Sequence, residues 1–407
     1  MAVLIISICV LLLLAYIFDI TSAKTRIPSV ILLLLLGWAV RQTSIFLGVI
    51  IPDLTSILPV LGTVGLILIV LEGSLELELN KSKVHYMWKS SVIALFPMLM
   101  ISFGLAYALQ YFDLITFKMG LANAIPFAII SSAIAIPSAK NLNQKNREFV
   151  TYESSLSDIF GVIFFNFIVL NNYIGSESFG NFLFQIFLIL IVTFVATVML
   201  SLLLSKIRHH VKFIPIVLAI ILIYEIAKEF HLPALIFILL LGLFLGNLDE
   251  LGRFKFMEKL HPEILDREVK KFKELTGEIA FLVRALFFLL FGYLIETADL
   301  LNSDTIFWAV LVIVGIYTLR YIFLKIFKLP IRPLVFLAPR GLITILLFLS
   351  IPSEQISIFI NKSLVIQVII LTSLIMMIGL IFHSKKMETA HTEKVAPSSQ
   401  GEGSQPQ

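Results

Sequence analysis

AIPFAIISSAIAIPSAKNL, residues Ala124–Leu142, and IRPLVFLAPRGLITILLFLSIP, residues Ile331–Pro352, are two apolar runs that cannot be smooth helices. In the first, Pro126 and Pro137 bracket Ser131 and Ser132. In the second, Pro333, Pro339, Gly341 and Pro352 punctuate the run, and Arg340 stands between proline and glycine. A proline inside a helix removes a backbone hydrogen bond and clashes with the preceding turn. In lipid each unsatisfied backbone group costs several kcal/mol, so broken backbone must be buried in protein or line a wet cavity. One such break reads as an ordinary kink; two in matching positions read as a site.

The rest of the 407 residues shows that these positions do match. Hydrophobic residues make up 59% of the chain and charged residues 14%, where a soluble domain carries roughly 25% charge. The apolar runs are long enough to cross a bilayer, which takes roughly 17–25 residues. They fall near 2–18, 25–41, 57–79, 90–112, 119–139, 150–171, 181–204, 212–229, 233–248, 277–296, 305–324, 333–351 and 358–382, an all-α polytopic membrane protein of about thirteen helices. The first run lacks the basic flank and small-residue cleavage site of a signal peptide and is read as a retained helix.

Lysine and arginine test this map. Of 31, 24 fall in the loops after odd-numbered spans and in the C-terminal tail, and four (Arg41, Lys118, Lys228 and Lys362) on the other side. The positive-inside rule then puts the C-terminus in the cytoplasm of a cell whose inner membrane holds the protein, and the N-terminus outside. Residues 1–383 form one transmembrane domain. The charged loop 249–275 is expected to be a cytoplasmic amphipathic helix lying along the membrane, a connector more than a regulator. The polar tail 384–407 is expected to be disordered. If span 7 joins halves 1–6 and 8–13, the broken spans 5 and 12 hold the same position in two inverted repeats. Paired broken helices of this kind mark a transport site near the midplane.

Charges at membrane depth locate that site further. A carboxylate at the centre of a membrane helix costs about 2.5–3.5 kcal/mol to insert, so each one needs a reason. Span 6 carries Glu153 and Asp158, with Asp158 near mid-depth and Ser154 four residues before it on the same helical face. Carboxylate and hydroxyl oxygens are hard donors suited to an alkali cation. Glu153 lies roughly 140° around the helix from Asp158 and is expected to serve another partner. Arg340 is its natural counter-ion, though Arg284 could serve; an unpaired buried charge is far costlier than a paired one. Glu72 in span 3 is deep enough for either ion contact or structural pairing, whereas Glu76 and Glu78 read as a charged helix end. Seven histidines without ligand spacing and one cysteine leave no metal site, and no cofactor or nucleic-acid partner is expected. Asp158 could hold a proton or a cation but not both well, so alternate exposure to the two sides would yield exchange. With Ser157 and not a second acid beside it, the exchange would be one-for-one.

These residues resemble the monovalent cation/proton antiporters of the sodium/proton exchanger type, through nearly all of residues 25–382. The matches are RIPSVILLLLLGW, GLILIVLEGSLELEL, HLPALIFILLLGLFLGN and ALFFLLFGYLI, and more specifically Glu153-Ser154-Ser155-Leu156-Ser157-Asp158, similar to the family's E-S-x-x-N-D, and Pro339-Arg340-Gly341. The resemblance implies thirteen helices in a homodimer, with a six-helix core of two crossed broken helices moving against a dimerisation domain. It implies Asp158 as the ion- and proton-binding carboxylate, Ser154 as a hydroxyl ligand, and a structural pair Glu153–Arg340. Two departures stand out. Ser157 replaces the family's asparagine, and Ala135-Ile136-Pro137 replaces its Thr-Asp-Pro, leaving only a backbone carbonyl near Ala135 to face the ion. Sodium is favoured over potassium by family frequency alone. A potassium-efflux or channel-like relative and a transport-inactive membrane sensor are the alternatives; an enzyme is not expected, because no nucleophile–base set is found.

Overall fold

The computed structural model describes residues 2–395 except 26, 49–53, 55, 78–83, 114, 172–174, 208, 210 and 249–261. The described residues form helices, turns and extended connections, without a strand. In chain order the helices are α1 (Ala2–Thr25), α2 (Ser29–Phe46), α3 (Ile57–Glu76), α4 (Val84–Asp113), α5 (Phe117–Ala128), α6 (Ser132–Ser138), α7 (Gln144–Leu170) and α8 (Ser176–Lys206). There follow α9 (Phe213–Glu229), α10 (Leu235–Gly246), α11 (Pro262–Tyr293), the single turn α12 (Thr297–Leu300) and α13 (Ser303–Ile326). Last come α14 (Ile331–Leu334), α15 (Leu342–Leu349) and α16 (Lys362–Val395).

Each of the thirteen apolar segments coincides with a helix, and spans 5 and 12 are each two half-helices, α5–α6 and α14–α15. Nine helical stretches among the described residues are long and apolar enough to cross a bilayer, with α5 and α6 counting as one. Length and composition alone therefore license nine crossings, not thirteen.

Two expected segments fall only partly within the described residues. Of the loop expected at 249–275, residues 249–261 lie outside the described residues, and the remainder is the first part of α11, continuous with span 10. Leu265, Val269, Phe272 and Thr276 recur on one helical face and are buried, and Phe272 meets Phe213 at the start of α9 with ring centroids 6.2 Å apart. Lys212 adds an ion pair to Glu268 at 2.6 Å. The apolar stripe of this part of α11 is covered by protein. At the C-terminus α16 continues to Val395, past the expected start of the tail, through a stretch rich in Lys, Met, Glu and Ala that favours helix; residues 396–407 lie outside the described residues.

The helices sort into two bodies. α3 packs against α10 and α11, and α2 against α11, while α4 packs on α5, α7 and α13, and α13 on α16. Spans 1–3 of the first half thus meet spans 8–10 of the second, and spans 4–6 meet spans 11–13. Both broken helices fall in the same body. Within the first body, α2 and α11 cross closely through facing glycines. A β-carbon at Gly37 would stand 2.7 Å from the Tyr293 amide nitrogen, and one at Gly292 2.8 Å from the Leu34 Cα. Small residues let membrane helices approach in this way, because van der Waals contact is the main attraction left between them in lipid. Gly292→Leu should therefore destabilise the protein by about 1–3 kcal/mol through overpacking, read as a lower melting temperature in detergent. Gly180→Leu, where a β-carbon meets nothing within 4 Å, should leave the melting temperature unchanged.

Candidate functional site

The first break is short and extended. α5 starts with Thr116 as N-cap, its hydroxyl accepting the Met119 N–H, and ends at Ala128. Ile129 (ψ 132°) and Ser131 (ψ 113°) then leave the helical region before α6 begins at Ser132. β-branched Ile129 and Ile130 favour extended backbone at this point. In span 12 the residue before a proline is pushed out of the helical region, so α14 stops early and the chain stays irregular through Ala338, Pro339 and Arg340 until α15 starts at Leu342.

The two breaks touch. The Ser131 N–H donates to the Pro339 carbonyl at 2.9 Å, and the Ile130 N–H donates to Ser157 Oγ on α7 at 3.0 Å. The buried Arg340 guanidinium donates from Nε to the Phe127 carbonyl at 2.6 Å, from Nη2 to the Ala128 carbonyl at 3.2 Å and from Nη1 to the Ala338 carbonyl at 2.7 Å. Its backbone N–H donates to Thr372 Oγ1 on α16 at 3.1 Å. Arg340 thus caps the C-terminal end of α5, where the carbonyl dipoles are negative and unsatisfied.

Asp158 sits under this crossing and is 1% exposed. Its Oδ2 accepts the Ser132 backbone N–H at 3.3 Å and also the Ser132 hydroxyl. Its Oδ1 is buried and has no hydrogen-bond partner among the described residues. Ser131 Oγ is in the same condition. A buried charge with a free oxygen needs a proton or a cation to complete it, and carboxylate and hydroxyl oxygens suit an alkali ion. Among the described residues no cluster of three or more His, Cys, Asp or Glu side chains could hold a metal ion.

The expected site residues divide. Asp158 and Ser157 meet the broken backbone, but Ser157 is occupied by the Ile130 N–H. Ser154 is buried one turn before Asp158, and its hydroxyl donates to the Val150 carbonyl at 2.7 Å. Ala135 is not in the break. It lies inside α6 and its carbonyl accepts the Ala139 N–H at 3.0 Å; Pro137 sits within that half-helix, so the chain opens at Ile129–Ser131 instead. Glu72 is half-buried, with Oε1 3.5 Å from where a β-carbon of Gly277 on α11 would lie.

The pair expected between Glu153 and Arg340 is not formed. Glu153 instead receives Arg320 of α13 through two bonds, 2.6 Å and 2.9 Å, with side chains 1% and 4% exposed. Arg320 Nε also donates to the Leu334 carbonyl at 2.7 Å. Arg340 cannot serve because backbone carbonyls claim its guanidinium. The sequence signal was present, since Arg320 is one of three arginines at membrane depth, but partner choice depends on which helices are neighbours. The contacts of Ser131 and Ser132 were not legible for a similar reason, since the prolines point to Pro137 as the break.

Two cavities open between the two bodies. One of about 510 Å³ is lined by Glu76, Lys140, Arg147, Thr151, Tyr152 and Lys273 among others. The other, about 490 Å³, lies at the opposite helix ends and is lined by Thr63, Val162, Phe165, Tyr224, Glu225 and Leu346 among others. Asp158 lies between them on α7, roughly 10 Å along the axis from Thr151 and roughly 6 Å from Val162 at 1.5 Å per residue.

Removing one partner of a buried ion pair costs about 3–5 kcal/mol. Glu153→Leu and Arg320→Met should each lower thermal stability by that order, while the double variant carrying both should recover most of it. The melting temperatures of the two singles and the double, in detergent, form the test; full additivity would mean the pair is not coupled.

Comparison with known proteins places this architecture. A search of curated protein sequences finds no match. Among solved structures the chain is similar to the sodium proton antiporter MjNhaP1 from Methanocaldococcus jannaschii. The structure at pH 8 aligns with TM-score 0.66 and 18% identity over 97% of this chain and 99% of that one. The electron-microscopy structure of the same antiporter aligns with TM-score 0.68 and 16% identity over 99% and 100%. At these identities the likeness shows the fold alone. The sequence profile described as sodium/hydrogen exchanger, transmembrane, matches residues 9–384, and so the chain belongs to the sodium/hydrogen exchanger family of membrane cation/proton antiporters, which are transporters and not enzymes.

Proposed function

We propose that this protein exchanges sodium for protons, one for one, at Asp158, by presenting that carboxylate alternately to the two cavities. The observation that carries the reading is the buried Asp158 carboxylate, held at the crossing of two broken helices with one oxygen that has no partner among the described residues. Asp158 is neutralised equally by a proton or by a monovalent cation, so the loaded site carries the same charge in either direction. No net charge then crosses the membrane, and the voltage term of about 2.3 kcal/mol per 100 mV for each charge moved drops out. Both cavities lie between the two helical bodies, so a displacement of one body against the other would open one as it closes the other. Sodium is preferred over potassium on the similarity to MjNhaP1, a sodium proton antiporter. The lysine and arginine distribution favours a cytoplasmic C-terminus in an inner membrane and puts the cavity lined by Lys140 on the cytoplasmic side. A homodimer is proposed on the resemblance alone.

Dye-quench antiport in everted vesicles, with Na⁺, K⁺ and Li⁺ added across a pH series, tests the reading. Sodium should dequench most strongly, and the rate should not change when the membrane potential is clamped. Asp158→Asn should abolish exchange by every cation while expression and melting temperature hold. Exchange at the parent rate in that variant would sink the assignment and turn attention to Glu72.

A further inference from the structure

We propose that the Ser131 hydroxyl is a direct ligand of the transported cation, paired with Asp158 Oδ1. The inference rests on Asp158 as the carrier and adds to it the neutral oxygen that completes the cage.

A serine hydroxyl in a membrane helix ordinarily satisfies itself by bonding back to the carbonyl three or four residues earlier. Ser154 does so to Val150, and Thr372 to Val368. Ser131 has no such bond. The carbonyls four and three residues before it belong to Phe127 and Ala128, and Arg340 donates to both. Its backbone turns away into the crossing, where its N–H goes to Pro339. The hydroxyl is left buried, in a residue 2% exposed, without a partner among the described residues.

The next residue ties this segment to the carboxylate. Ser132 grips Asp158 Oδ2 with its N–H and its hydroxyl, leaving Oδ1 free. The unpartnered carboxylate oxygen and the unpartnered hydroxyl therefore come from one aspartate and from the neighbour of the serine that holds it. The two consecutive serines divide the work, Ser132 orienting the carboxylate and Ser131 offering an oxygen. Gly341 keeps the space, since a β-carbon there would stand 2.7 Å from Ser131 Oγ. A hydroxyl adds coordination without adding charge, so it leaves one-for-one exchange intact. These serines thus supply the polar groups absent at Ala135 and Ile136.

The test compares Ser131→Ala, Ser131→Cys and Asp158→Asn in the vesicle assay, with sodium-dependent thermal stabilisation as a second readout. Cysteine nearly preserves size while replacing a hard oxygen with soft sulfur, a poor ligand for alkali cations. Both Ser131 variants should raise the apparent KM for sodium about tenfold at an unchanged maximal rate. They should also change the Li⁺, Na⁺ and K⁺ preference ratio and weaken the stabilisation by sodium. Parent KM and parent ion ratio in both would overturn the proposal, as would a defect in alanine that cysteine fully repairs, which would mean that Ser131 only fills space. If Asp158→Asn is dead while both Ser131 variants behave as the parent, the ligand role alone falls. If Asp158→Asn still exchanges, the carrier reading has failed first, and this proposal with it.

Discussion

Everything at the centre of this protein depends on the guanidinium of Arg340 meeting the open end of α5. A helix that stops in mid-membrane leaves carbonyls that neither water nor lipid can satisfy. Three bonds from one buried arginine reach Phe127, Ala128 and Ala338. The cation is compensated by helix-end carbonyl oxygens and their dipole, without a carboxylate ion pair among the described residues. With those carbonyls satisfied, α5 can end where it does, α6 can restart after three extended residues, and a gap opens in which Asp158 meets backbone and hydroxyl.

Keeping Arg340 and Arg320 in separate jobs matters for the chemistry at Asp158. Glu153 and Arg320 close a neutral pair one and a half turns before Asp158 on α7, and the same arginine holds Leu334 at the start of broken span 12. The pair ties α7 and α13 to α14 inside the body that carries both breaks. Had Arg340 been the counter-ion of Glu153, α5 would have lost its cap. As it is, the ion pair clamps the body and the capping arginine shapes the break, while neither is spent on the carboxylate that must stay available.

Much of this was legible in the sequence, and what was not legible has a common cause. Hydropathy and proline spacing placed the helices and both broken spans, because insertion energetics act on each segment separately. The burial of Asp158 among protein groups was legible because an acid at mid-depth costs too much to be left in lipid. The pairing of Glu153 was not, since three arginines lie at membrane depth and only the helix arrangement selects Arg320. The break was misplaced for a different reason. Pro137 looks like the stronger breaker, yet it fits within α6, and the opening occurs where two isoleucines and the competing hold of Arg340 favour extended backbone. A proline shows that helix is costly nearby, but the residue that leaves the helix is chosen by tertiary bonds.

The partition of helices then connects the site to transport. A carboxylate buried at 1% exposure cannot reach either aqueous side without movement, and the packing restricts where movement can occur. Within each body the contacts are extensive, including glycine-mediated approaches of α2 and α11 that leave no room to slide. Between the bodies the contacts are fewer, and both large cavities lie along that seam. Asp158, Ser131, Ser132, Arg340 and the Glu153–Arg320 clamp all belong to one body, so they can travel together with the bonds among them intact. The seam is where the free energy of any such movement would have to be balanced, and contacts of α3 with α6, α7 and α15 are its main component.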